Sequence, residues 1–442
     1  MRLLALLFLS TLGYGIQSMD KENPPAKEMT NEMIVKGIQR LPYELKEHII
    51  SLMVQANRGY KASLVKRLDA RLFASTGAYS PVFSVLFSPN GKTVVVGSTN
   101  RNSCVWSTKT GQVVTTLTQE NQHACMSALA LSPDGKTILT GSSRGEGCLW
   151  NLETGELITT LKGHTGYIKC VSFSRTGESI VTSSHDTTAC LWSSVTGELI
   201  TIFKGHTGHI DSVAFSPKGK TVLTGSYDKT ARLWSCATGE LILTLKGHAA
   251  YINSVGFSPD GKTCVTGSGD HTACVWNCVT GELITTLKGH TKWVSCLAFS
   301  PGGKTIVTGS GDNTACVWNG TTGELITIFK GHTNGILSVA FSSDGETVLT
   351  GSYDRTACLW NSKTGELITT LKVHDGSVES VAFSPQGKMV ATGSMDNTAC
   401  LWKIRSGFEF LTDEQKKSCF KHFMTCYLLL LKKEDASNTE KS

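Results

Sequence analysis

Eight tryptophans recur at nearly constant spacing, and this period constrains the fold more than any other feature. They stand at positions 106, 150, 192, 234, 276, 318, 360 and 402, one interval of 44 residues followed by six of 42. Around each lies a similar unit, such as 205-GHTGHIDSVAFSPKGKTVLTGSYDKTARLWSCATGELILTLK-246. A fixed period of roughly 20 to 50 residues is typical of chains that stack one supersecondary unit many times.

Each unit predicts four short strands. HIDSVAFS and KTVLTGS alternate apolar and polar residues, and SPKGK between them suits a tight turn. TARLW and ELILTLK supply the third and fourth strands. Because one such sheet cannot bury both of its faces, the copies must pack on one another, and a closed ring also protects their edges. The sequence therefore predicts an all-β ring of sheets.

The repeats resemble those of the WD40 family in the Gly-His opening, the Asp six residues before Trp, and the Trp itself. The resemblance implies an eight-bladed β-propeller over residues 76–412. Seven blades are the alternative, because the first two units depart from the pattern. The departures are Ala78 for His, Asn100 for Asp, Arg144 for Asp, and His123 one residue out of phase.

WD40 propellers usually close by completing the last blade with a strand from the other terminus. Two segments are candidates for this closing strand, Phe408–Thr412 and the residues around Leu68–Ser75.

A His, a Ser or Thr and an Asp recur in six units, as His206, Ser226 (or Thr224) and Asp228 do. Catalysis needs one exposed nucleophile beside an oxyanion hole, and not six equivalent copies. The resemblance implies a buried hydrogen-bond network instead, and no catalytic residue. The expected network comprises His164, Asp186, Trp192, His206, Ser226, Asp228, Trp234, His248, Asp270, Trp276, His290, Asp312, Trp318, His332, Asp354, Trp360, His374, Asp396 and Trp402.

Seven cysteines share one phase, two residues before Trp, and Arg232 breaks the series. They are Cys104, Cys148, Cys190, Cys274, Cys316, Cys358 and Cys400. With one per sheet they lie roughly 10 Å or more apart, whereas a disulfide needs Cα atoms within about 7 Å. They are therefore expected to be small buried thiols, which suits a reducing compartment. No CxxC pair occurs, so no metal site or cofactor is predicted.

Positions that differ between repeats concentrate after Gly-His and on either side of Asp. In WD40-type propellers both loops open on one face, here called the upper rim, which usually meets partners. Its aromatic, basic and Met side chains are types enriched in interfaces, although drift in loops is an alternative. The predicted protein-binding residues are Tyr167, Lys169, His185, His209, Tyr227, Lys229, Tyr251, His271, Lys292, Trp293, Tyr353, Arg355 and Met395.

Residues 1–18 predict a secretory signal peptide, because Arg2 precedes an apolar run from Leu3 to Leu12 and then small residues. The run is too short to span a bilayer. We therefore expect export, with a secreted or periplasmic destination or delivery into a host cytosol, and no membrane association after signal removal.

Residues 19–75 contain two amphipathic stretches, 41-LPYELKEHIISLM-53 and 63-SLVKRLDARLF-73. Together they resemble an F-box, although the second lacks the usual Trp. F-boxes that precede WD40 propellers bind a Skp-type adaptor of cullin-type ubiquitin ligases. The resemblance assigns adaptor docking to Leu41, Pro42, Leu45, Ile49, Ile50 and Leu52. A helical cap packed on the propeller is the alternative.

After the repeats, 413–433 predicts an amphipathic helix with Thr412 and Gln415 as its capping box, and 434–442 is expected to be disordered. The net charge is only +6, and the repeats are nearly neutral, which disfavours nucleic acid. The sequence therefore predicts a non-enzymatic scaffold that binds a protein or peptide. The alternatives are a structural or periplasmic propeller with no ubiquitin role, and a propeller enzyme.

Overall fold

The structure is a computed structural model that describes residues 69–77, 80–99, 102–118 and 126–405. Within these ranges the chain forms 32 strands, which hydrogen-bond into eight four-stranded sheets. The eight-bladed, all-β propeller expected from the sequence is confirmed, and the seven-blade alternative is wrong. Both irregular units at the start of the repeats form complete blades.

The strand bounds follow the repeat. Blade 1 contains β2 (Val82–Phe87), β3 (Thr93–Ser98), β4 (Asn102–Ser107) and β5 (Val113–Thr118). Blade 2 contains β6 (Met126–Leu131), β7 (Thr137–Ser142), β8 (Glu146–Asn151) and β9 (Leu157–Lys162). Blade 3 contains β10 (Ile168–Phe173), β11 (Ser179–Ser184), β12 (Ala189–Ser193) and β13 (Leu199–Phe203). Blade 4 contains β14 (Ile210–Phe215), β15 (Thr221–Ser226), β16 (Thr230–Ser235) and β17 (Leu241–Lys246).

The second half of the ring repeats the same plan. Blade 5 contains β18 (Ile252–Phe257), β19 (Thr263–Ser268), β20 (Thr272–Asn277) and β21 (Leu283–Lys288). Blade 6 contains β22 (Val294–Phe299), β23 (Thr305–Ser310), β24 (Ala315–Asn319) and β25 (Leu325–Phe329). Blade 7 contains β26 (Ile336–Phe341), β27 (Thr347–Ser352), β28 (Thr356–Asn361) and β29 (Leu367–Lys372). Blade 8 contains β30 (Val378–Phe383), β31 (Met389–Ser394), β32 (Thr398–Arg405) and β1 (Asp69–Gly77).

The last blade takes its outer strand from the start of the propeller. Its order is β1-β32-β31-β30, so the segment Asp69–Gly77 completes the sheet. Of the two closing segments considered, this is the one near Leu68–Ser75, whereas Phe408–Thr412 lies outside the described residues. Strand β1, the outer strand of blade 8, begins at Asp69. Residues 69–73, which end the second F-box-like stretch, are strand because β32 offers an open edge.

The core lies between neighbouring blades. One cluster joins Leu191 and Phe203 of blade 3 to Ile210, Val222 and Trp234 of blade 4. The second strand of each blade lies inside the ring with neighbours on both faces, which explains why five of six residues of β15 are buried. The outermost strands begin with exposed residues, as β17 does. Each sheet is thus stable only in the presence of its neighbours.

Side-chain hydrogen bonds on the inner strands also link adjacent blades. The backbone N–H of Val255 donates to Ser212 Oγ at 3.1 Å, and that of Val381 donates to Ser338 Oγ at 3.2 Å. Blade 8 meets blade 1 in the same way, because the N–H of Val85 donates to Ser380 Oγ at 3.1 Å. The junction that closes the ring therefore has the same contact as junctions within it.

The expected signal peptide, F-box-like helices, C-terminal helix and tail lie outside the described residues, apart from the segment that forms β1. In the part of the chain that the structure describes, no helix has the length and hydropathy needed to cross a membrane.

Candidate functional site

Each regular blade is fixed by a chain of four buried side chains. In blade 4, Trp234 Nε1–H donates to Thr224 Oγ1 at 2.9 Å, and Thr224 Oγ1 lies 2.8 Å from His206 Nε2. The other ring nitrogen of His206 lies 2.7 Å from Asp228 Oδ2. A neutral imidazole with its proton on Nδ1 satisfies every contact, because it accepts from Thr and donates to Asp.

The aspartate at the end of this chain also holds two turns. Its carboxylate accepts the N–H of Thr207 at 3.1 Å and the N–H of Thr230 at 2.9 Å. Ser226, predicted as a possible hydroxyl partner of His206, instead accepts the N–H of Asp228 at 3.1 Å and donates to a loop carbonyl. Thr224 is therefore the residue that joins His and Trp, and Ser226 supports the turn.

The same contacts occur in six blades. The pairs are His164–Asp186, His206–Asp228, His248–Asp270, His290–Asp312, His332–Asp354 and His374–Asp396, with Nδ1 to Oδ2 distances of 2.7 to 2.9 Å. Their tryptophans are Trp192, Trp234, Trp276, Trp318, Trp360 and Trp402, and all six indole N–H groups bond a threonine hydroxyl. The side chains of these histidines are at most 1% exposed, so substrate has no access to them.

Blades 1 and 2 retain only part of this series of hydrogen-bonded side chains. In blade 2, Trp150 still donates to Thr140 Oγ1 at 2.9 Å, while Arg144 occupies the Asp position. In blade 1, Val96 stands where the other blades have threonine. The buried Nε1 of Trp106 consequently has no hydrogen-bond partner among the described residues.

The paired aspartates are held in their charged form. Burial raises the pKa of Asp228, but hydrogen bonds from Thr230 and His206 outweigh it, so the pKa lies below its ordinary value. At His332 burial lowers the pKa, but contacts with Asp354 and Cys358 outweigh it and raise the pKa to about 9. At His206 burial dominates, and Arg232 adds repulsion, so the pKa falls.

Arg232 stands where the other seven blades have cysteine, and it lies in tight surroundings. Its guanidinium lies 5.9 Å from the ring centroid of Trp234, and its buried Nε has no partner among the described residues. A Cβ at Gly205 would collide with the guanidinium, and Gly205 adopts a φ of 149°. Glycine alone accommodates this conformation readily.

The predicted upper-rim residues lie at one end of the sheets, as the loops were expected to. The loop positions before the innermost strands carry Tyr167, His209, Tyr251, Lys292 and Trp293, and the turns between the second and third strands carry His185, Tyr227, Lys229, His271, Tyr353, Arg355 and Met395. Lys169 is the exception, because it is the second residue of β10. Tyr227, Trp293, Tyr353 and Met395 are 42–50% exposed.

Backbone hydrogen bonds pair the two loops in each of blades 3 to 8. The N–H of His185 donates to Tyr167 O at 2.9 Å, and the N–H of Tyr227 donates to His209 O at 2.8 Å. Blades 5 to 8 repeat this bond between 269 and 251, 311 and 293, 353 and 335, and 395 and 377. The upper rim is therefore an ordered ring of paired positions.

Five aromatic rings form a continuous row on this ring, across blades 3 to 5. Centroid distances are 4.9 Å for Tyr167–His185, 4.5 Å for His185–His209, 5.9 Å for His209–Tyr227 and 4.7 Å for Tyr227–Tyr251. The two tyrosines of the last pair are nearly parallel, with an angle of 10°. We call these five residues the ring ladder.

In blades 5 to 7 each paired position combines an aromatic ring with a glycine. A Cβ on Gly269 would lie 2.7 Å from Cζ of Tyr251, and one on Gly311 would lie 2.5 Å from Cε2 of Trp293. Blade 7 reverses the order, with Gly335 before the strand and Tyr353 in the turn. A Cβ on Gly335 would lie 3.5 Å from Cδ2 of Tyr353. The sequence alone does not single out these glycines, because their role appears only when the two loops are paired.

The ring ladder has a charged group beneath it. Burial raises the pKa of Asp211, against the opposing effects of Lys169 and the two histidines, and His185 Nε2 lies 3.7 Å from its Oδ1. Burial and then the neighbouring His209 lower the pKa of His185. His209 Nδ1 lies 2.6 Å from the carbonyl oxygen of His185, so it donates there and fixes its ring. The contacts of His185 and His209 therefore hold this end of the ladder in a defined orientation.

Other site chemistry is limited within the described residues. No group of three or more His, Cys, Asp or Glu side chains there is placed to hold a metal ion. None of the twelve described cysteines forms a disulfide, and of the seven in phase with Trp only Cys104 is partly exposed while the rest are buried. Burial raises the pKa of Cys190 to about 12. The residues predicted to dock an adaptor, from Leu41 to Leu52, lie outside the described residues.

Comparison with known proteins agrees with this geometry. The family described as "WD domain, G-beta repeat" matches eight segments, 71–107, 111–151, 155–193, 197–235, 239–277, 281–319, 323–361 and 365–403. The crystal structure of the computationally designed protein Ika8 is similar, with 28% identity and a TM-score of 0.69 over 76% of this chain and 100% of that chain. No match was found among curated proteins. The chain belongs to the WD40-repeat family, whose members typically act as protein-interaction scaffolds.

Proposed function

We propose that the protein is a non-enzymatic scaffold that binds a segment of another protein on its upper rim. The observation that carries this proposal is the ring ladder from Tyr167 to Tyr251, which joins three blades in one row of rings in mutual contact. Aromatic residues that are rigid and partly exposed are the residues that dominate binding energy at interfaces.

The paired glycines argue against simple drift of the rim loops. Gly269 and Gly311 each leave room for a ring from the partner position, and Gly335 in blade 7 reverses the order. If the two loop positions varied independently, an aromatic residue at one and a glycine at the other would not be expected in three consecutive blades. A surface that fixes its aromatic rings before a ligand arrives loses less entropy on binding.

A non-enzymatic role fits the His, Thr and Asp side chains. They occur in six equivalent copies with buried histidines, and each contact is accounted for by blade structure. WD40 propellers are generally scaffolds, and among the described residues no separate group of side chains supports the alternative of a propeller enzyme.

The second part of the proposal is that residues 19–68 dock a Skp-type adaptor, so that the protein recruits a rim-bound substrate to a cullin-type ubiquitin ligase. Its support is the sequence 41-LPYELKEHIISLM-53 ahead of a propeller. Export by residues 1–18 into a host cytosol is part of this proposal, because thiols that form no disulfide among the described residues suit a reducing destination. A structural or periplasmic propeller with no ubiquitin role is the competing function.

The rim is tested by capture of partners with Tyr227→Ala/Trp293→Ala, compared with the parent protein. Val195→Ala/Val279→Ala is the matched control, because these residues are 78% and 81% exposed in turns away from the rim. A partner retained by the parent and the control but lost by the rim variant supports the proposal. A partner retained by all three contradicts it.

Adaptor docking is tested separately with residues 19–442 and purified Skp-type adaptor. The comparison variant is Pro42→Ala/Leu45→Asp/Ile49→Asp. Binding by the parent and not by the variant supports an F-box role. Absence of binding by either leaves the rim scaffold without a ubiquitin role, which favours the structural or periplasmic function.

A further inference from the structure

Two cysteines of blade 5 lie side by side at the end of the sheet opposite the upper rim. Cys264 is the second residue of β19, and Cys278 directly follows β20. The register pairs Cys264 with Trp276, and the N–H of Cys278 donates to Lys262 O at 2.9 Å, so the antiparallel ladder continues to position 278. Cys264 and Cys278 are therefore diagonal neighbours on one face of the hairpin.

The two thiols are in contact. Cys264 is fully buried in the core cluster between blades 4 and 5, and Cys278 packs against the same cluster. The hydrogen bond between the two thiols, and then burial, raise the pKa of Cys264 well above its usual value. Since the protonated thiol is the form that donates, Cys264 is the donor and the sulfur of Cys278 is the acceptor. Cys278 is only half-buried, so a small solute reaches the pair from its side.

The repeats show that this pair is particular to blade 5. The position of Cys264 holds an aliphatic residue in the other seven blades: Val94, Ile138, Ile180, Val222, Ile306, Val348 and Val390. The position of Cys278 varies more, with Thr108, Leu152, Ser194, Cys236, Gly320, Ser362 and Ile404. Blade 4 has cysteine at the second position alone, and blade 5 has cysteine at both. The blade structure itself therefore does not require either thiol.

We propose that Cys264 and Cys278 form a reversible redox site, in which a peroxide oxidises the two thiols to a disulfide within blade 5. In the first step the sulfur of Cys278 attacks one peroxide oxygen, the O–O bond breaks and water leaves, so that Cys278 becomes a sulfenic acid. In the second step the sulfur of Cys264 attacks that sulfur, the S–O bond breaks, and the departing hydroxyl leaves as water with the thiol proton. The two thiols lose two electrons in total, and the peroxide gains them.

The position of Cys278 permits the small movement that the bond requires. Diagonal Cα atoms on paired strands lie about 7–8 Å apart, whereas a disulfide needs them within about 7 Å. Cys278 lies beyond the last residue of β20 and begins a turn in which Val279 and Thr280 are exposed. A shift of this turn towards β19 leaves the buried strands in place. The inference is independent of the upper rim, which lies at the other end of the blade.

The test treats the full, reduced chain with hydrogen peroxide, blocks the remaining thiols with N-ethylmaleimide and maps the peptides by mass spectrometry. Trypsin, with further cleavage before Asp270 and after Trp276, places Cys264, Cys274 and Cys278 on separate peptides. We expect the peptide of Cys264 to be joined to that of Cys278, with a mass loss of two hydrogen atoms. Dithiothreitol should return both as thiols. Cys274 should stay outside the cross-link.

Two variants copy residues of other blades, so they are expected to keep the Tm of the parent. Cys264→Val places the residue of Val222 there, and Cys278→Ser places the residue of Ser194, whose hydroxyl donates to Gly177 O at 2.5 Å. In Cys264→Val the oxidised Cys278 has no partner thiol and should proceed to sulfinic acid, which dithiothreitol does not reverse. In Cys278→Ser the buried Cys264 should remain a thiol.

The inference is overturned if peroxide produces no bond between Cys264 and Cys278 in the parent, or if Cys278 bonds another cysteine as readily. It is also overturned if dithiothreitol recovers Cys278 from Cys264→Val as completely as from the parent, because Cys264 then has no part in keeping the oxidation reversible.

Discussion

The ring of Tyr251 lies over the Cα of Gly269, so close that a Cβ there would approach its Cζ to 2.7 Å. Gly269→Ala must therefore displace the ring or the turn, and we expect the free energy of unfolding to fall by about 1–3 kcal/mol. Partner binding should weaken at the same time, because Tyr251 is the last member of the ring ladder. Urea unfolding and the capture assay measure the two effects.

Gly302→Ala is the matched control for this substitution. No atom lies within 4 Å of a Cβ at Gly302, so the stability should be unchanged or slightly higher, since alanine lowers the entropy of the unfolded chain. Equal stabilities for the two alanine variants would mean that the ring and the glycine are not matched.

The buried indole N–H of Trp106 has no hydrogen-bond partner among the described residues, so a substitution that supplies one should stabilise the protein. Val96→Thr places a hydroxyl where the other blades have one, and Thr140 shows that a blade without the His–Asp pair accommodates it. The new hydrogen bond should add about 1 kcal/mol to the free energy of unfolding. The reverse change, Thr140→Val, orphans Trp150 and should cost about 1–3 kcal/mol. A destabilised Val96→Thr variant would count against this assignment.

Arg232→Cys restores the residue found at the equivalent position of seven blades. It removes the unpartnered Nε and the repulsion on His206. We expect stability to rise by about 1 kcal/mol and the pKa of His206 to rise. NMR titration of the imidazole, assigned with a His206→Gln variant, follows the pKa. An unchanged pKa would show that Arg232 has no electrostatic influence on the buried pair.

The hydrogen bond from Val85 to Ser380 joins the last blade to the first. Ser380→Ala should lower the free energy of unfolding by about 1 kcal/mol or more, because a half-buried N–H loses its acceptor. Ser254 occupies the same position in blade 5, where no such bond of its side chain to the next blade is found among the described residues. Ser254→Ala should therefore be near neutral, and equal costs for both variants would remove the role assigned to the bond.

The six paired aspartates predict sensitivity to acid. Burial opposes the effect, but hydrogen bonds to His and Thr keep their pKa values below the ordinary value. A lowered folded pKa gives stability that is present above the unfolded pKa of about 3.9 and is lost as pH falls through the folded pKa. Unfolding free energy should thus drop below about pH 4. Asp186→Asn should flatten that drop, and an identical pH profile would contradict the linkage.

The sequence predicted the blades well because their determinants are local and repeated. The spacing of Trp234 and Asp228 within one unit is enough to define its strands and turns. The sequence does not distinguish the two candidate closing segments, because β1, with the sequence DARLFASTG, carries neither Gly-His nor Trp and so has no repeat signature. Its identity depends on the open edge of β32, which is a property of the complete ring.

The sequence predicts which residues lie on the upper rim but not how their side chains and backbone pair with one another. Variation among repeats identified Tyr227, Tyr251 and Trp293, since large side chains stand out against a uniform background. The choice between Thr224 and Ser226 could not be made, because both are hydroxyls on neighbouring positions. The importance of Gly269 arises from a backbone pairing between loops, which no single stretch of sequence displays.

The outer strand of blade 8 has a consequence for the order of folding. Seven sheets form from consecutive residues, so their loops close early and at low entropic cost. The eighth sheet joins β1, which ends at Gly77, to β32, which begins at Thr398. During synthesis β1 therefore has no partner strand until the last repeat has left the ribosome. We expect ring closure to be the last step, and until then blades 1 and 7 each expose a face that only blade 8 can cover.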